Sequence, residues 1–275
     1  MLELLFVLLH ACRVILIWAS YHSKRQISRK AYTAAHISEN PVIDDSEEIS
    51  RLLEETKEYY RRRASQFADW HRSSERYEGG PPLDQSYFDE ARMLFDALDA
   101  ESLQGNVLEI ASGTGVWTEA VAKTAGSLTA LDSSKEMLEK CKARLGTNPK
   151  LRYVVADFYE WSPDREYDAI TFSFWISHVP ASKLDEAVAK MSVCLRSRGK
   201  MFFVDQQVQA IRNERLDQPG GEVVWRTLGD GRRFRVFKHF YTSEEIRASF
   251  LAHGIHIKIN NTPTHFFYAQ GEKNT

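Results

Sequence analysis

The sequence predicts an α/β fold in which a mostly parallel sheet is wrapped by helices on both faces. Three observations predict it. From Asn106 onward short apolar runs alternate with helical ones. A strand, a glycine turn and a helix follow one another without a break across residues 106–123. At 275 residues, 43% hydrophobic and 27% charged, the chain can bury one sizeable core and still carry an appendage.

In chain order, residues 1–20 (MLELLFVLLHACRVILIWAS) are the compositional outlier. They are about one membrane span long, are interrupted by Glu3, His10 and Arg13, and are followed by Lys24, Arg25, Arg29 and Lys30. An Arg near the middle of such a helix costs roughly 2.5–3.5 kcal/mol on insertion scales, while each Leu, Ile or Val returns roughly 0.3–0.6 kcal/mol. The segment therefore reads as a membrane anchor, as a peripheral hydrophobic helix, or as an upstream extension. The basic flank and the lack of a small-x-small cleavage site place the remaining chain in the cytosol. Residues 21–45 are polar, contain Pro41, and read as a linker.

Residues 46–104 are expected to form a helical cap. Ile49, Leu52, Leu53, Thr56, Tyr59, Tyr60, Phe67 and Trp70 recur at three- and four-residue steps, and the Gly79–Pro82 cluster ends the run. A second helix covers residues 86–100, with Phe88, Leu94, Phe95 and Leu98 apolar and Met93 offset. The main domain, residues 105–275, then alternates: NVLEIA and VWTEAVAKTA; SLTALD and SKEMLEKCKARL; LRYVVAD; YDAITFSF and KLDEAVAKMSVCL; KMFFVDQ; and finally HIKIN and THFFYAQ. An insertion near residues 221–240 carries two β-rich runs around Gly229-Asp230-Gly231 and reads as a hairpin. Thr242 and Glu245 make a capping box for the next helix.

The formal net charge is −2 and the pI about 6.5, so no global positive field collects nucleic acid. Arg226, Arg232, Arg233, Arg235 and Lys238 form a local basic patch with Trp225, Phe234 and Phe237 interleaved, which a half-exposed hairpin explains without nucleic acid. Cys12, Cys141 and Cys194 lie far apart and show no ligand spacing, and His253 and His256 lack a third ligand, so neither a disulfide framework nor a metal is expected. No G-x-S-x-G elbow, H-E-x-x-H pair or Walker lysine is present.

The residues that carry chemistry begin with Val107-Leu108-Glu109-Ile110-Ala111-Ser112-Gly113-Thr114-Gly115, an apolar strand running into a glycine turn and then the helix opened by Val116 and Trp117. Glycine there lets the backbone approach a ligand, and the N–H groups of the turn favour a carboxylate or phosphate, so the turn alone suits S-adenosylmethionine (SAM) or a dinucleotide. Its spacing, E-x-A-x-G-x-G rather than G-x-G-x-x-G, separates the two.

That string resembles motif I of class I SAM-dependent methyltransferases, and LEIASGTGVWTE is similar to small-molecule enzymes of the ubiquinone/menaquinone type. Ala111 stands where the first glycine is usual. The resemblance implies a seven-stranded sheet with an antiparallel last strand, SAM as cofactor, and cofactor contacts from Glu109, Ala111, Gly113, Gly115 and Trp117. Asp132, 23 residues after Glu109, closes the second strand, where a carboxylate can accept both ribose hydroxyls; by itself it reads equally as a helix N-cap. The resemblance assigns it to the ribose, adds Met137 just beyond, and puts Asp157 and Phe158 at the adenine. It also places Tyr60 and Arg63 over the cofactor, and Phe174 and His178 where the cofactor and acceptor pockets meet.

His178 is a candidate general base, since an imidazole titrates near neutrality, although in-line transfer from a sulfonium also proceeds by alignment alone. The expected reaction methylates an oxygen, or secondarily a nitrogen or carbon, of a small aromatic or lipophilic acceptor. A SAM-binding regulatory subunit without catalysis and a dinucleotide oxidoreductase are the competing readings. Oligomeric state is not written in the sequence.

Overall fold

The computed structural model describes residues 46–66, 85–207 and 221–275. The apolar segment 1–20, the linker, Phe67, Trp70 and the Gly79–Pro82 cluster lie outside the described residues. Among the described residues no helix is long and apolar enough to cross a membrane.

Seven strands form one sheet: β1 (Asn106–Ile110), β2 (Ser127–Asp132), β3 (Leu151–Val155), β4 (Tyr167–Ser173), β5 (Leu195–Gln206), β8 (Ile255–Asn261) and β9 (Phe266–Lys273), in the order β3-β2-β1-β4-β5-β9-β8. β9 runs antiparallel to both β5 and β8, while the pairs from β3 through β5 are parallel. The class I methyltransferase sheet expected from the sequence is thus present, with β9 as its single reversed strand. β6 (Val223–Thr227) and β7 (Arg233–Phe237) form the separate hairpin, in the expected place. The chain runs from β1 outward to β3 and then crosses to β4 on the other side of β1. That reversal opens a crevice at the C-terminal ends of β1 and β4, where ligands of open α/β sheets bind.

Period-two alternation supplies the two core faces. Leu108 and Ile110 of β1 point with Ile170, Phe172, Met201 and Phe203 toward the helices α5 (Ala181–Cys194) and α6 (Ser243–Ala252). Val107, Leu128, Ala169 and Phe202 point the other way, toward α2 (Gln85–Glu101) and α3 (Val116–Val121). α4 (Lys135–Leu145) is capped by Ser134, whose hydroxyl accepts the Met137 N–H at 3.1 Å. The capping box at α6 is formed as expected, Thr242 and Glu245 each bonding the other's backbone N–H.

The cap differs from expectation in one respect. α1 (Ser46–Arg63) buries Ile49, Leu52, Thr56 and Tyr59, and it packs on the hairpin: Leu52 meets Val223 and Phe237, and Tyr59 meets Val224, Leu228 and Val236. The Thr56 hydroxyl accepts the Phe237 N–H at 2.9 Å, and Arg235 pairs with Glu48 and Glu55. α2 instead lays Ala91, Leu94 and Leu98 against the sheet face as part of the main core. Among the described residues α1 and the hairpin together roof the crevice, and α2 contributes Tyr87 at its edge.

Candidate active site

The floor of the crevice is the turn after β1. Ala111 and Gly113 both take left-handed backbone, φ 52° and 56°, which suits glycine and costs an alanine about 1–2 kcal/mol. The turn is tied to β2: Ser112 N–H donates to the Leu131 carbonyl at 3.0 Å, and Gly113 N–H donates to the Asp132 carboxylate at 2.8 Å. The other oxygen of Asp132 accepts the Ser134 N–H at 2.8 Å. Asp132 therefore holds the turn and caps the strand end at once. Burial raises its pKa to about 6 against the pull of those two N–H groups.

The cavity above holds about 940 Å³ and is lined by all the sequence-predicted residues except Glu109 and Gly115: Tyr60, Arg63, Ala111, Gly113, Trp117, Asp132, Met137, Asp157, Phe158, Phe174 and His178. Glu109 and Gly115, expected among the cofactor's contacts, stand behind the wall. Glu109 is 2% exposed, and burial pushes its pKa to about 8, so it is mostly protonated at neutral pH. Asp132, unlike Glu109, lines the cavity. Gly115 starts α3 in left-handed backbone, with Cys141 packed against its Cα.

Gly113 is the cradle. A Cβ built there meets nothing within 4 Å, although the residue lines the cavity. Ser112 Oγ and Thr114 Oγ1 are buried on the same wall and have no hydrogen-bond partner among the described residues. An open backbone turn, two unused hydroxyls and a buried carboxylate at the end of β2 suit the amino-acid part and the ribose of SAM. We expect Gly113→Ala to stay folded with a cost of about 1–2 kcal/mol for the φ. If the cofactor's amino-acid part lies on this turn, the added Cβ enters its space and calorimetry should read a SAM affinity at least tenfold weaker; parental affinity would place the cofactor elsewhere.

At the end of β3, Asp157 accepts the Tyr159 N–H at 2.8 Å and pairs with Lys57 of α1 at 2.6 Å. Lys57 was not foreseen: it sits on the polar side of α1, and only the folding of that helix over the crevice brings it to the carboxylate. Phe158 is buried and stacks edge-on to Trp175 at 5.5 Å. Trp117 stacks on Phe95 at 4.2 Å and meets Phe174 at 6.2 Å, an aromatic wall facing α2.

At the opposite end His178 closes a short chain of bonds. Its Nδ1 lies 2.6 Å from the Phe237 carbonyl, which can only accept, so Nδ1 carries the proton. Nε2 is then the acceptor for the Tyr60 hydroxyl at 2.9 Å. Burial, with Lys238 and Arg226 nearby, drives the imidazole pKa down to about 3. His178, the general base expected from the sequence, is thus neutral at neutral pH, with its Nε2 lone pair turned to the Tyr60 hydroxyl.

Lys238 is the second residue the sequence hid. Assigned from the sequence to a half-exposed basic patch, it is 5% exposed and lines the cavity, its Nζ donating to the Ser177 hydroxyl at 2.7 Å and lying 3.7 Å from Asp205. The available signal was a lone lysine inside the otherwise uncharged run Val236–Tyr241, where a buried charge has to face something polar. Arg226 lines the cavity as well, whereas Arg232 stays outside, paired with Asp230, and Arg233 lies over Trp225. Among the described residues no group of three His, Cys, Asp or Glu side chains is placed to hold a metal ion.

Comparison with known proteins agrees with this geometry. Residues 107–199 match the family model described as a methyltransferase domain. The DhpI–SAM–HEP complex is 31% identical with a TM-score of 0.66, covering 80% of this chain and 97% of that one. The DhpI–SAH complex is 30% identical with a TM-score of 0.65, covering 81% and 97%. Malonyl-[acyl-carrier protein] O-methyltransferase 1 of Ilyobacter polytropus is 28% identical over 108 residues, 37% of this chain and 40% of that protein. Demethylmenaquinone methyltransferase of Staphylococcus aureus is 32% identical over 115 residues, 38% and 48%. The match thus spans less than half the length of these two curated relatives.

Proposed function

The chain belongs to the class I SAM-dependent methyltransferases, and on that footing we propose that it methylates an oxygen of a small acceptor with an aromatic or lipophilic body. The observation that carries this reading is that the glycine turn with Asp132 and the Tyr60–His178 pair open into one cavity. Its volume, about 940 Å³, lies at the top of the range of about 300–1,000 Å³ usual for single-ligand pockets, which leaves room for a second small molecule beside the cofactor.

When bound, SAM supplies an electrophilic methyl on a sulfonium. The protein's part is binding, alignment and exclusion of water. Asp132 would accept the ribose hydroxyls, the Gly113 turn with Ser112 and Thr114 would receive the amino-acid part, and Asp157 with Phe158 would border the base. Tyr60, Phe174, Trp175 and His178 wall the acceptor's end. α1 and the hairpin close over both. The O-methyltransferase among the relatives supports oxygen as the acceptor atom. The acidic balance of the chain supports a small molecule over nucleic acid.

We place the catalytic unit in the cytosol, where SAM is made; fractionating cells that express the full chain reads whether residues 1–20 hold it at a membrane. The test of the function is mass spectrometry of cell extract incubated with the full chain and methyl-labelled SAM. Label in a small molecule is the expected result; label confined to nucleic acid or protein would overturn it.

A further inference from the structure

Resting on the reading that Asp157 and Phe158 border the base of the cofactor, we infer that Lys57 of α1 reads that base as well: its ammonium donates to an adenine ring nitrogen beside the amino group that Asp157 accepts. Three observations carry this.

The first is place. Lys57 and Asp157 both line the cavity, Lys57 from the roof and Asp157 from the end of β3. Lys57 Nζ lies 2.6 Å from Asp157 Oδ2, so roof and sheet put a donor and an acceptor side by side on one wall.

The second is hydrogen-bond capacity. An ammonium carries three donors, and Asp157 and Glu54, each 2.6 Å away, take two of them, which leaves one for a ligand. Asp157 accepts the Tyr159 N–H on Oδ1 and Lys57 on Oδ2, and a carboxylate with about four lone-pair sites has room for an amino N–H besides. Burial works against the Lys57 charge, but hydrogen bonds to Asp157 and Glu54 outweigh it and hold the pKa above the ordinary lysine value. Lys57 therefore remains a charged donor.

The third is complementarity to the base. Adenine presents one donor, its exocyclic amino group, flanked by the ring nitrogens N1 and N7, which only accept. A carboxylate alone answers the amino group and repels both lone pairs. An acceptor with a donor beside it answers two neighbouring atoms at once, which is how a side-chain amide reads adenine in the DNA major groove. The Asp157–Lys57 pair offers the same order of groups, while the Tyr159 N–H of the same turn is already given to Asp157. The base is thus gripped from the roof as well as from the sheet.

The experiment is calorimetry of the full chain with S-adenosylhomocysteine and its 1-deaza and 7-deaza forms, in each of which a CH replaces one ring nitrogen. One deaza form should bind the parent about five- to tenfold more weakly than S-adenosylhomocysteine, as expected for one charge-assisted hydrogen bond at a partly exposed group. In Lys57→Met that form and S-adenosylhomocysteine should bind alike within about twofold, and Lys57→Arg, which keeps a charged donor, should restore part of the preference. Both deaza forms binding the parent as tightly as S-adenosylhomocysteine would overturn the inference. So would a Lys57→Met variant that keeps the parent's preference while losing affinity for all three probes alike, since Lys57 would then only prop α1. Asp157→Ala reports on the underlying reading: parental affinity for S-adenosylhomocysteine in that variant removes the base from this end of the cavity, whatever Lys57 does.

Discussion

Asp132→Asn is expected to bind SAM about 10- to 150-fold more weakly and, in the ligand-free state at pH 8, to be more stable than the parent. The affinity loss follows from replacing charge-assisted hydrogen bonds to the ribose, worth roughly 1.5–3 kcal/mol. The stability gain follows from the sign of the pKa shift. Burial lifts the Asp132 carboxyl to about 6 in the folded chain, above its usual 3.8, so the folded state binds this proton more tightly than the unfolded chain does. Ionising the group therefore opposes folding in full above about pH 6, and the opposition fades as pH falls from 6 toward the usual 3.8. The amide removes an opposition of roughly 2–3 kcal/mol at pH 8, offset by about 1 kcal/mol because one of the two N–H donors, Gly113 or Ser134, loses its acceptor. Denaturant melts should show a net gain of about 1–2 kcal/mol at pH 8, shrinking to about 0.5 kcal/mol at pH 5 and vanishing near pH 4.5. Calorimetry adds an independent arm: parental affinity should fall about tenfold from pH 7 to pH 5, as Asp132 takes up its proton, while the Asn variant stays flat. A variant with parental affinity would remove the ribose assignment, and a variant no more stable at pH 8 would remove the buried-charge account.

The place of Asp132 on the cavity is legible in the sequence because it is local to a strand end. The same holds for the turn at residues 111–115, whose strand, turn and helix are consecutive, and for Asp157 at the end of β3. What stayed hidden depends on contacts across more than a hundred residues. Lys57 reaches Asp157, Tyr60 reaches His178, and Thr56 holds Phe237, only because α1 folds over the crevice onto the hairpin. α1 and α2 both show an amphipathic stripe, and nothing in either stripe says which surface it will cover. His178 illustrates a different limit: its place in the cavity was readable, but its pKa is set by burial and by the hairpin cations, which are not its sequence neighbours. Motif I contains Glu109 and Gly115 without saying whether each faces the cavity, and in the fold neither lines it.

That distinction makes Gly115 the sharper steric test of the motif. Gly115→Ala should cost about 2–4 kcal/mol of stability, against about 1–2 kcal/mol for Gly113→Ala. Both glycines hold positive φ, 85° and 56°, so backbone strain is common to the two. The difference lies in what a side chain would meet. At Gly113 nothing lies within 4 Å, whereas at Gly115 a Cβ would sit 2.6 Å from Cys141 Sγ, 3.2 Å from its Cβ and 3.1 Å from its Cα. A rotation of Cys141 can move the sulfur but not the Cα, so α4 must shift away from α3 or the turn must distort. Either movement disturbs Thr118, which lies under Glu109 and 3.7 Å from the same sulfur, and so the support of the turn itself. Denaturant melts of Gly115→Ala, Cys141→Ala and the double variant separate the causes. If the sulfur contact dominates, Cys141→Ala recovers at least 0.5 kcal/mol of the Gly115→Ala loss beyond additivity. Strict additivity would remove the sulfur as the cause and leave backbone conformation and the contact with the Cys141 Cα and Cβ. A Gly115→Ala protein as stable as Gly113→Ala would mean that the close packing of α3 on α4 is not what fixes the turn.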